Sequence, residues 1–111
     1  MGERFAMRLV VAILKPAQVE SVRRALAAVD VTRMTIGDAQ GHPTKGQPEG
    51  RRPVQETVIE IACNDDFVER ATGAIAGVLA AAGDDATGRL FTLPIMEAVQ
   101  LYRDVRGPEA V

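Results

Sequence analysis

Two connecting segments of this 111-residue chain carry residue types that could bind an anion. Residues 41–53 are rich in glycine and proline, which disfavours helix and strand, and a loop longer than about 12 residues in a compact domain usually binds something. Lys45, Arg51 and Arg52 give this segment local positive charge. Residues 83–88 begin and end with glycine, and such a loop can turn backbone N–H groups toward a phosphate. The structural alternatives are a solvated charged loop and an ordinary helix-to-strand turn.

The remaining reactive side chains form no evident catalytic or metal-binding set. Cys63, the only cysteine, ends an apolar alternation typical of a core strand and has no partner for an internal disulfide. His42 is the only histidine, so a transition metal would lack soft ligands. Asp65 and Asp66 fit the start of a helix better than an acid–base pair. We therefore expect no catalytic residues and no metal.

Length and composition predict a single globular domain over residues 1–111. A chain of this length can bury roughly two-thirds of its unfolded surface, and no apolar run reaches the roughly 18 residues of a membrane span. The first residues lack the pattern of a secretory signal, so we expect a cytoplasmic protein without direct membrane insertion. The net charge of −2 and the scarcity of aromatic residues argue against nucleic acid as a partner.

Hydrophobic periodicity predicts a strand, a helix and a strand before the first loop. Arg8–Leu14 is apolar on both faces, which is typical of a central strand. After Pro16, apolar residues at helical spacing predict an amphipathic helix over residues 17–29. A weaker strand is predicted over residues 34–39, because Gly37 lowers the strand propensity.

The same order of elements is predicted after residue 53. Residues 54–63 alternate between two faces and predict a long strand. A helix follows, with a capping box between Asp66 and Glu69 and with Gly83 at its end. Residues 89–93 predict a fourth strand. Residues 95–102 fit either a helical turn or a last edge strand, and the tail over residues 103–111 carries little pattern.

This order predicts an α+β fold, a ferredoxin-like double βαβ sandwich with a long loop between strands 2 and 3. Two helices can cover only one face of a four-stranded sheet, yet the first strand is apolar on both faces. Self-association is the simplest way to cover the second face. We therefore expect a homo-oligomer.

Five segments of the chain carry a resemblance to a known family: Arg8–Pro16, Val31–Thr35, Ile59–Ile61, Asn64–Val68 and Thr87–Phe91. Together they resemble the PII signal-transduction family of nitrogen regulatory proteins. The resemblance runs from about Met7 to Tyr102 and depends on no single motif. It implies a homotrimer whose sheets pack together at the centre, with an adenine nucleotide in each cleft between subunits. It also implies that residues 41–53 are the T-loop, which contacts target proteins, and that residues 83–88 are the B-loop.

The resemblance assigns binding residues position by position. Arg89 matches the basic residue that follows the family's B-loop, and Thr35 matches a threonine that contacts adenine. The base of the T-loop, which borders the nucleotide, matches Gly41, His42 and Pro43. The implied nucleotide-binding set is Ile13, Met34, Thr35, Gly41, His42, Pro43, Ala62, Gly83, Ala86, Thr87, Gly88, Arg89, Gln100, Tyr102 and Arg103. The T-loop residues implied in effector or target contact are Thr44, Lys45, Gly46, Arg51 and Arg52.

Two departures from the family pattern concern the T-loop and its base. The loop is shorter than in the nitrogen-regulating members by about eight residues. It contains no tyrosine, so uridylylation of a T-loop tyrosine is excluded. Glu56 stands where the family has a lysine that grips the carboxylate of 2-oxoglutarate. Because like charges repel, we do not expect 2-oxoglutarate to be sensed.

Further departures weaken the contacts to a triphosphate. Asp84 replaces the first lysine of the B-loop, and Asp85 follows it. Two family arginines that reach the β- and γ-phosphates fall at Gln100 and Tyr102, where Arg103 or Arg106 would substitute only after a shift in register. Because Arg89 is the one well-placed cation left, we expect ADP, AMP or a cyclic nucleotide to bind at least as well as ATP.

The sequence thus leads us to expect a non-catalytic regulatory trimer that controls a protein target, either a membrane transporter or an enzyme. The short T-loop resembles that of divergent PII-like branches, among them the carboxysome-associated type that responds to adenine nucleotide and bicarbonate. Lys45, Arg51 and Arg52 would hold the bicarbonate. One alternative is a nitrogen regulator of an ammonium transporter or enzyme that responds to ATP and 2-oxoglutarate. The alternatives from another class are a small ferredoxin-like enzyme and a metal-binding trimer.

Overall fold

The computed structural model of the protein describes residues 6–41, 54–83, 88–101 and 103–111. The elements confirm the predicted repeat of strand, helix and strand. Neither α-helix in the described ranges has the length and apolar character needed to cross a membrane. In chain order the elements are β1 (Met7–Leu14), a 3-10 turn (Pro16–Gln18), α1 (Val19–Ala28), β2 (Thr35–Gly41), β3 (Val54–Asn64), α2 (Asp65–Ala81), β4 (Arg89–Pro94), β5 (Val99–Gln100), β6 (Val105–Arg106) and a second 3-10 turn (Gly107–Ala110).

Four strands form one sheet in the order β2-β3-β1-β4. β3 is antiparallel to both β1 and β2, so β1 and β2 run parallel to each other with β3 between them. β4 pairs with the other edge of β1, also antiparallel. This is the ferredoxin-like arrangement that the sequence predicted. It puts the two most apolar strands, β1 and β3, at the centre of the sheet, where both of their edges are hydrogen-bonded.

The core lies between the sheet and the two helices. Alternate residues of β1 and β3 point to this side, because successive side chains of a strand point to opposite faces. The alternation predicted for β3 is confirmed, since the polar Thr57 is buried with its apolar neighbours on the same face. The buried apolar cluster consists of Val10, Ala12, Leu14, Val22, Leu26, Val31, Ile59, Ile61, Cys63, Ala71 and Ile75.

The other face of the sheet, called the open face below, is apolar and uncovered in a single chain. Val11 of β1 lies opposite Phe91 of β4, and Leu9 lies opposite Leu93. The side chains of Phe91 and Leu93 are 46% and 47% exposed. The prediction that the second face of the central strand needs a partner is therefore confirmed for the isolated protomer.

The helix boundaries differ from the predicted ones. The helix expected over residues 17–29 is an α-helix only over Val19–Ala28, because the residues from Pro16 form a 3-10 turn. The capping box predicted between Asp66 and Glu69 is wrong. The N-cap residue is Asn64, without a side-chain capping bond, and the Asp65 N–H donates to the Ala6 carbonyl at 2.9 Å. A tertiary contact thus satisfies the first N–H of α2, while the side-chain cap that the sequence indicated is absent.

The second strand and the C-terminal segment also differ. β2 continues to Gly41, which pairs with Val54, so the residue assigned to the start of the long loop is the last residue of a strand. Pairing with β3 extends β2 beyond the residues whose own propensity favours a strand. Over residues 95–102 the chain forms β5, which pairs with β6 in a separate two-stranded sheet instead of extending the main one. The tail that carried little pattern therefore contains a strand and a 3-10 turn.

Candidate functional site

The described residues of the predicted nucleotide site are spread across the sheet, with Thr35 and Gly41 on one edge strand, β2, and Arg89 on the other, β4. Thr35 begins β2, opposite Glu60, and Gly41 ends it, opposite Val54. The six residue steps between Thr35 and Gly41 correspond to about 20 Å along the strand. Arg89 begins β4 opposite Ile13, and the pairing of Ile13 with Val58 and of Val58 with Gly37 places it in register between Thr35 and Gly41, on the far side of β3 and β1. We call the end of the sheet where Gly41, Val54 and the beginning of β4 lie the loop end, and the end where β2 begins the tail end. Across the sheet, the three strand spacings between β2 and β4 separate Thr35 from Arg89 by about 14 Å.

The loop end contains an ion pair that the sequence analysis missed. The Arg89 guanidinium donates a hydrogen bond from Nη2 to Oε2 of Glu56 at 3.4 Å. The Glu56 side chain is 25% exposed and the Arg89 side chain 63%. β1 separates β3 from β4, but it ends at Leu14, and the two long side chains meet beside this strand end. The one cation expected to serve a phosphate is therefore already paired with a carboxylate.

The same carboxylate also packs against the backbone of β2. A Cβ atom added to Gly41 would overlap Oε1 of Glu56, so the glutamate fits here only because residue 41 has no side chain. One oxygen of Glu56 thus faces the last described residue before the long loop, and the other faces the first strand residue after the second loop. The sequence shows opposite charges near the starts of β3 and β4, but it does not show that their side chains meet.

The glycines that border the second loop have structural roles in this chain. Gly83 has φ +62, a left-handed conformation that favours glycine and ends α2 as predicted. A Cβ atom added to Gly88 would lie 2.7 Å from Cδ1 of Leu79, so Gly88 permits the chain to pack closely on α2. Their presence is thus accounted for without a ligand. That this loop binds a phosphate stays a prediction.

The tail end is built around a groove of about 480 Å³. The chain leaves β4 at this end, where the Ile95 N–H donates to the Met7 carbonyl at 3.0 Å. Gln100 lies in β5, which pairs with β6, and Arg106 of β6 forms a 3.7 Å ion pair with Asp104. The groove is lined by Thr32, Arg33, Met34, Thr35, Ala62, Ala110 and Val111.

Cys63 lies in the core, as predicted, beside a smaller cavity of about 180 Å³. Burial raises the pKa of the Cys63 thiol above its ordinary value of 9.0, and the Asp65 carboxylate adds to the rise while the Arg8 guanidinium opposes it. The thiol is therefore protonated at neutral pH and is a poor nucleophile. Within the described ranges, no three histidine, cysteine, aspartate or glutamate side chains lie close enough together to hold a metal ion.

Several predicted residues lie outside the described ranges, and their assignments stay predictions. In the first loop these are His42, Pro43, Thr44, Lys45, Gly46, Arg51 and Arg52. In the second loop and the C-terminal segment they are Asp84, Asp85, Ala86, Thr87 and Tyr102.

Comparison with known proteins identifies the family. A family model described as "Nitrogen regulatory protein P-II" matches residues 7–105, which is most of the chain. This protein belongs to the PII family. It is 31% identical to nitrogen regulatory protein GlnK1 of Methanosarcina mazei, over 96% of this chain and 98% of that protein. It is 33% identical to nitrogen regulatory protein P-II of Rhizobium etli, over 95% of this chain and the whole of that protein.

A solved structure gives the same result for the fold. The citrate-bound PII protein of Arabidopsis thaliana superposes with a TM-score of 0.80 at 25% sequence identity, covering 96% of this chain and 94% of that one. PII proteins are trimeric regulators that bind small-molecule effectors and target proteins, and they are not enzymes. The chain is therefore a non-catalytic signal transducer of this family. In a family of trimers, the exposed apolar open face is a candidate for the subunit interface.

Proposed function

We propose that this PII protein binds an adenine nucleotide in each cleft between the subunits of a homotrimer and acts on its target through the T-loop. The nucleotide's phosphate side would contact the loop end of one protomer, with Ile13, Gly41, Gly88 and Arg89. Its adenine side would contact the tail end of a second protomer, with Met34, Thr35 and Ala62. What supports a shared site is that Thr35 and Arg89 lie on opposite edge strands of one chain, about 14 Å apart across the sheet.

The observation that carries the nucleotide preference is the ion pair between Arg89 and Glu56 at 3.4 Å. A phosphate that binds the guanidinium has to compete with this carboxylate. Each further phosphate brings more negative charge to the same region, where Glu56 repels it. ADP and AMP therefore bind at least as tightly as ATP, and a cyclic nucleotide is compatible with the same charge argument. The carboxylate also disfavours an acidic co-ligand such as 2-oxoglutarate.

The effector side of the proposal rests on the T-loop sequence. Gly41 and Val54 pair with each other, so the loop begins and ends at the same end of the sheet. Its basic residues Lys45, Arg51 and Arg52 would hold bicarbonate as a co-effector and contact the target, a membrane transporter or an enzyme reached from the cytoplasm. Nucleotide binding controls this contact only if the ligand interacts differently with two states of the loop.

Binding titrations with ATP, ADP, AMP and cyclic AMP test the proposal, each with and without magnesium, 2-oxoglutarate and bicarbonate. We expect ADP or AMP to bind at least as tightly as ATP. Addition of 2-oxoglutarate should give no additional heat of binding, and bicarbonate should make nucleotide binding tighter. Arg89→Gln should weaken every nucleotide by about tenfold, because it removes a charge-assisted hydrogen bond to phosphate. ATP as much the tightest ligand would contradict the charge argument.

The names of the relatives favour a second function. Both curated relatives described above carry the name nitrogen regulatory protein. On that basis the chain would respond to ATP and 2-oxoglutarate and regulate an ammonium transporter or an enzyme. Tight binding of 2-oxoglutarate in the presence of ATP and magnesium would establish this function in place of the one proposed, because it requires the Glu56 carboxylate to tolerate a dicarboxylate nearby.

A further inference from the structure

Glu56 is held by two contacts that together fix where its charge lies. Oε2 accepts the hydrogen bond from Arg89, and Oε1 packs against the backbone of Gly41. This carboxylate is more covered than those of Glu20 and Asp104, whose side chains are 60% and 85% exposed. A covered carboxylate is less screened by water than an exposed one, so its field acts more strongly on a nearby anion.

The position of this charge matters because the guanidinium it occupies is the one assigned to the ligand phosphate. We propose that Glu56 is a built-in competitor for the ligand's phosphate and thereby sets the nucleotide preference of the site. In the free protein the carboxylate occupies Arg89. A phosphate that binds Arg89 has to displace it, and the carboxylate then remains near the bound anion. This inference rests on the proposed nucleotide site and adds to it a specificity-determining residue.

The competition has a graded consequence for different nucleotides. Displacing a partly exposed ion pair should lower the affinity of AMP by only about threefold. Each added negative charge at about 6 Å from the carboxylate should cost roughly a further threefold even in water. Because ATP carries two more negative charges than AMP, Glu56 should lower the affinity for ATP by about thirtyfold overall and that for AMP by about threefold. Glu56 would thus lower the affinity of highly charged nucleotides most, while it also lowers the affinity of the less charged nucleotides that the site prefers.

The decisive variant is Glu56→Gln, which removes the charge and keeps the size and the packing against Gly41. We expect AMP to bind about threefold and ATP about thirtyfold more tightly than to the unchanged protein, so that the ratio of ATP to AMP affinity rises about tenfold. The gain should shrink at high salt, where surface charges are screened. In the double variant Glu56→Gln/Arg89→Gln, compared with Arg89→Gln, the gain for AMP should vanish, since the competition requires the guanidinium. The gain for ATP that comes from the removed repulsion should remain at about tenfold.

Glu20→Gln is the matched control. It also removes one carboxylate that pairs with an arginine, here Arg23 at 2.9 Å, but it lies on α1, on the opposite side of the sheet from the open face. It should leave every nucleotide affinity unchanged. An equal gain in Glu20→Gln would show that net charge alone acts, and the inference would fail.

Two outcomes separate this inference from the proposed function. If the unchanged protein binds nucleotide and Glu56→Gln binds it equally or less tightly, the competition is refuted while the nucleotide site stands. If neither protein binds any nucleotide, the proposed function fails and the inference fails with it. Thermal unfolding of the unchanged protein and of every variant shows whether each one is folded, so loss of binding cannot be mistaken for loss of structure.

Discussion

Replacement of Phe91 by alanine should weaken trimer formation strongly. Phe91 lies on the open face opposite Val11, and its side chain is 46% exposed in the single chain. If assembly buries the exposed part of an aromatic side chain of roughly 200 Å², about 90 Å² of apolar surface per protomer leaves water. At about 25 cal/mol per Å² this contributes about 2 kcal/mol per protomer, or about 6 kcal/mol per trimer. The folded protomer should lose little stability, because this surface is exposed within it.

The free energy translates into a measurable concentration. About 6 kcal/mol corresponds to more than four decades in the trimer association constant. The protein concentration at half-dissociation scales as the square root of the trimer dissociation constant, so it should rise about a hundredfold. Sedimentation equilibrium over a range of protein concentrations measures this shift. Circular dichroism verifies that the variant is folded.

Ile36→Ala is the matched control for this experiment. Ile36 of β2 has a similar exposure of 42%, but it pairs with the buried Ile59 and so lies on the helix-covered side of the sheet. It should leave the assembly unchanged. If Phe91→Ala dissociates at the same concentration as the unchanged protein, the open face is not the surface that holds the trimer together, and the reasoning from its apolar character is refuted.

Two further predictions concern the core and the second loop. The Cys63 thiol of the native protein should react with iodoacetamide at pH 8 at least about tenfold more slowly than in urea, because it is buried and its raised pKa keeps it protonated; equal rates would mean that the thiol is accessible. As the pH rises above 9.0, the unfolded thiol ionises first, so this group's contribution to the free energy of unfolding falls until the folded pKa is passed. Gly88→Ala should lower the free energy of unfolding in urea by about 1 kcal/mol, because its Cβ meets Leu79. Leu79→Ala removes that overlap, so purely additive losses in the double variant would argue against it.

Periodicity along the chain was enough to predict the fold. The apolar run of β1 and the alternation of β3 are local patterns, and each identifies the faces of its own strand. The order of elements then restricts the topology to few arrangements. The segments whose predicted structure was wrong are those in which a contact with a residue far along the chain decides the local structure. Pairing with Val54 keeps Gly41 in β2, and the Ala6 carbonyl, which is distant in sequence, accepts the first N–H of α2.

For the candidate site, too, the sequence determined some features and the tertiary structure decided others. The sequence alone determined that Glu56 and Arg89 stand on strands bordering two glycine-containing loops, and that the first of them is an acid where the family has a lysine. Only the tertiary structure decided that the two charges meet, because they are separated by 33 positions and by one intervening strand. It also decided that Thr35 and Arg89 lie on opposite edge strands of the sheet. Contacts across a sheet depend on strand order and register, which no local pattern contains.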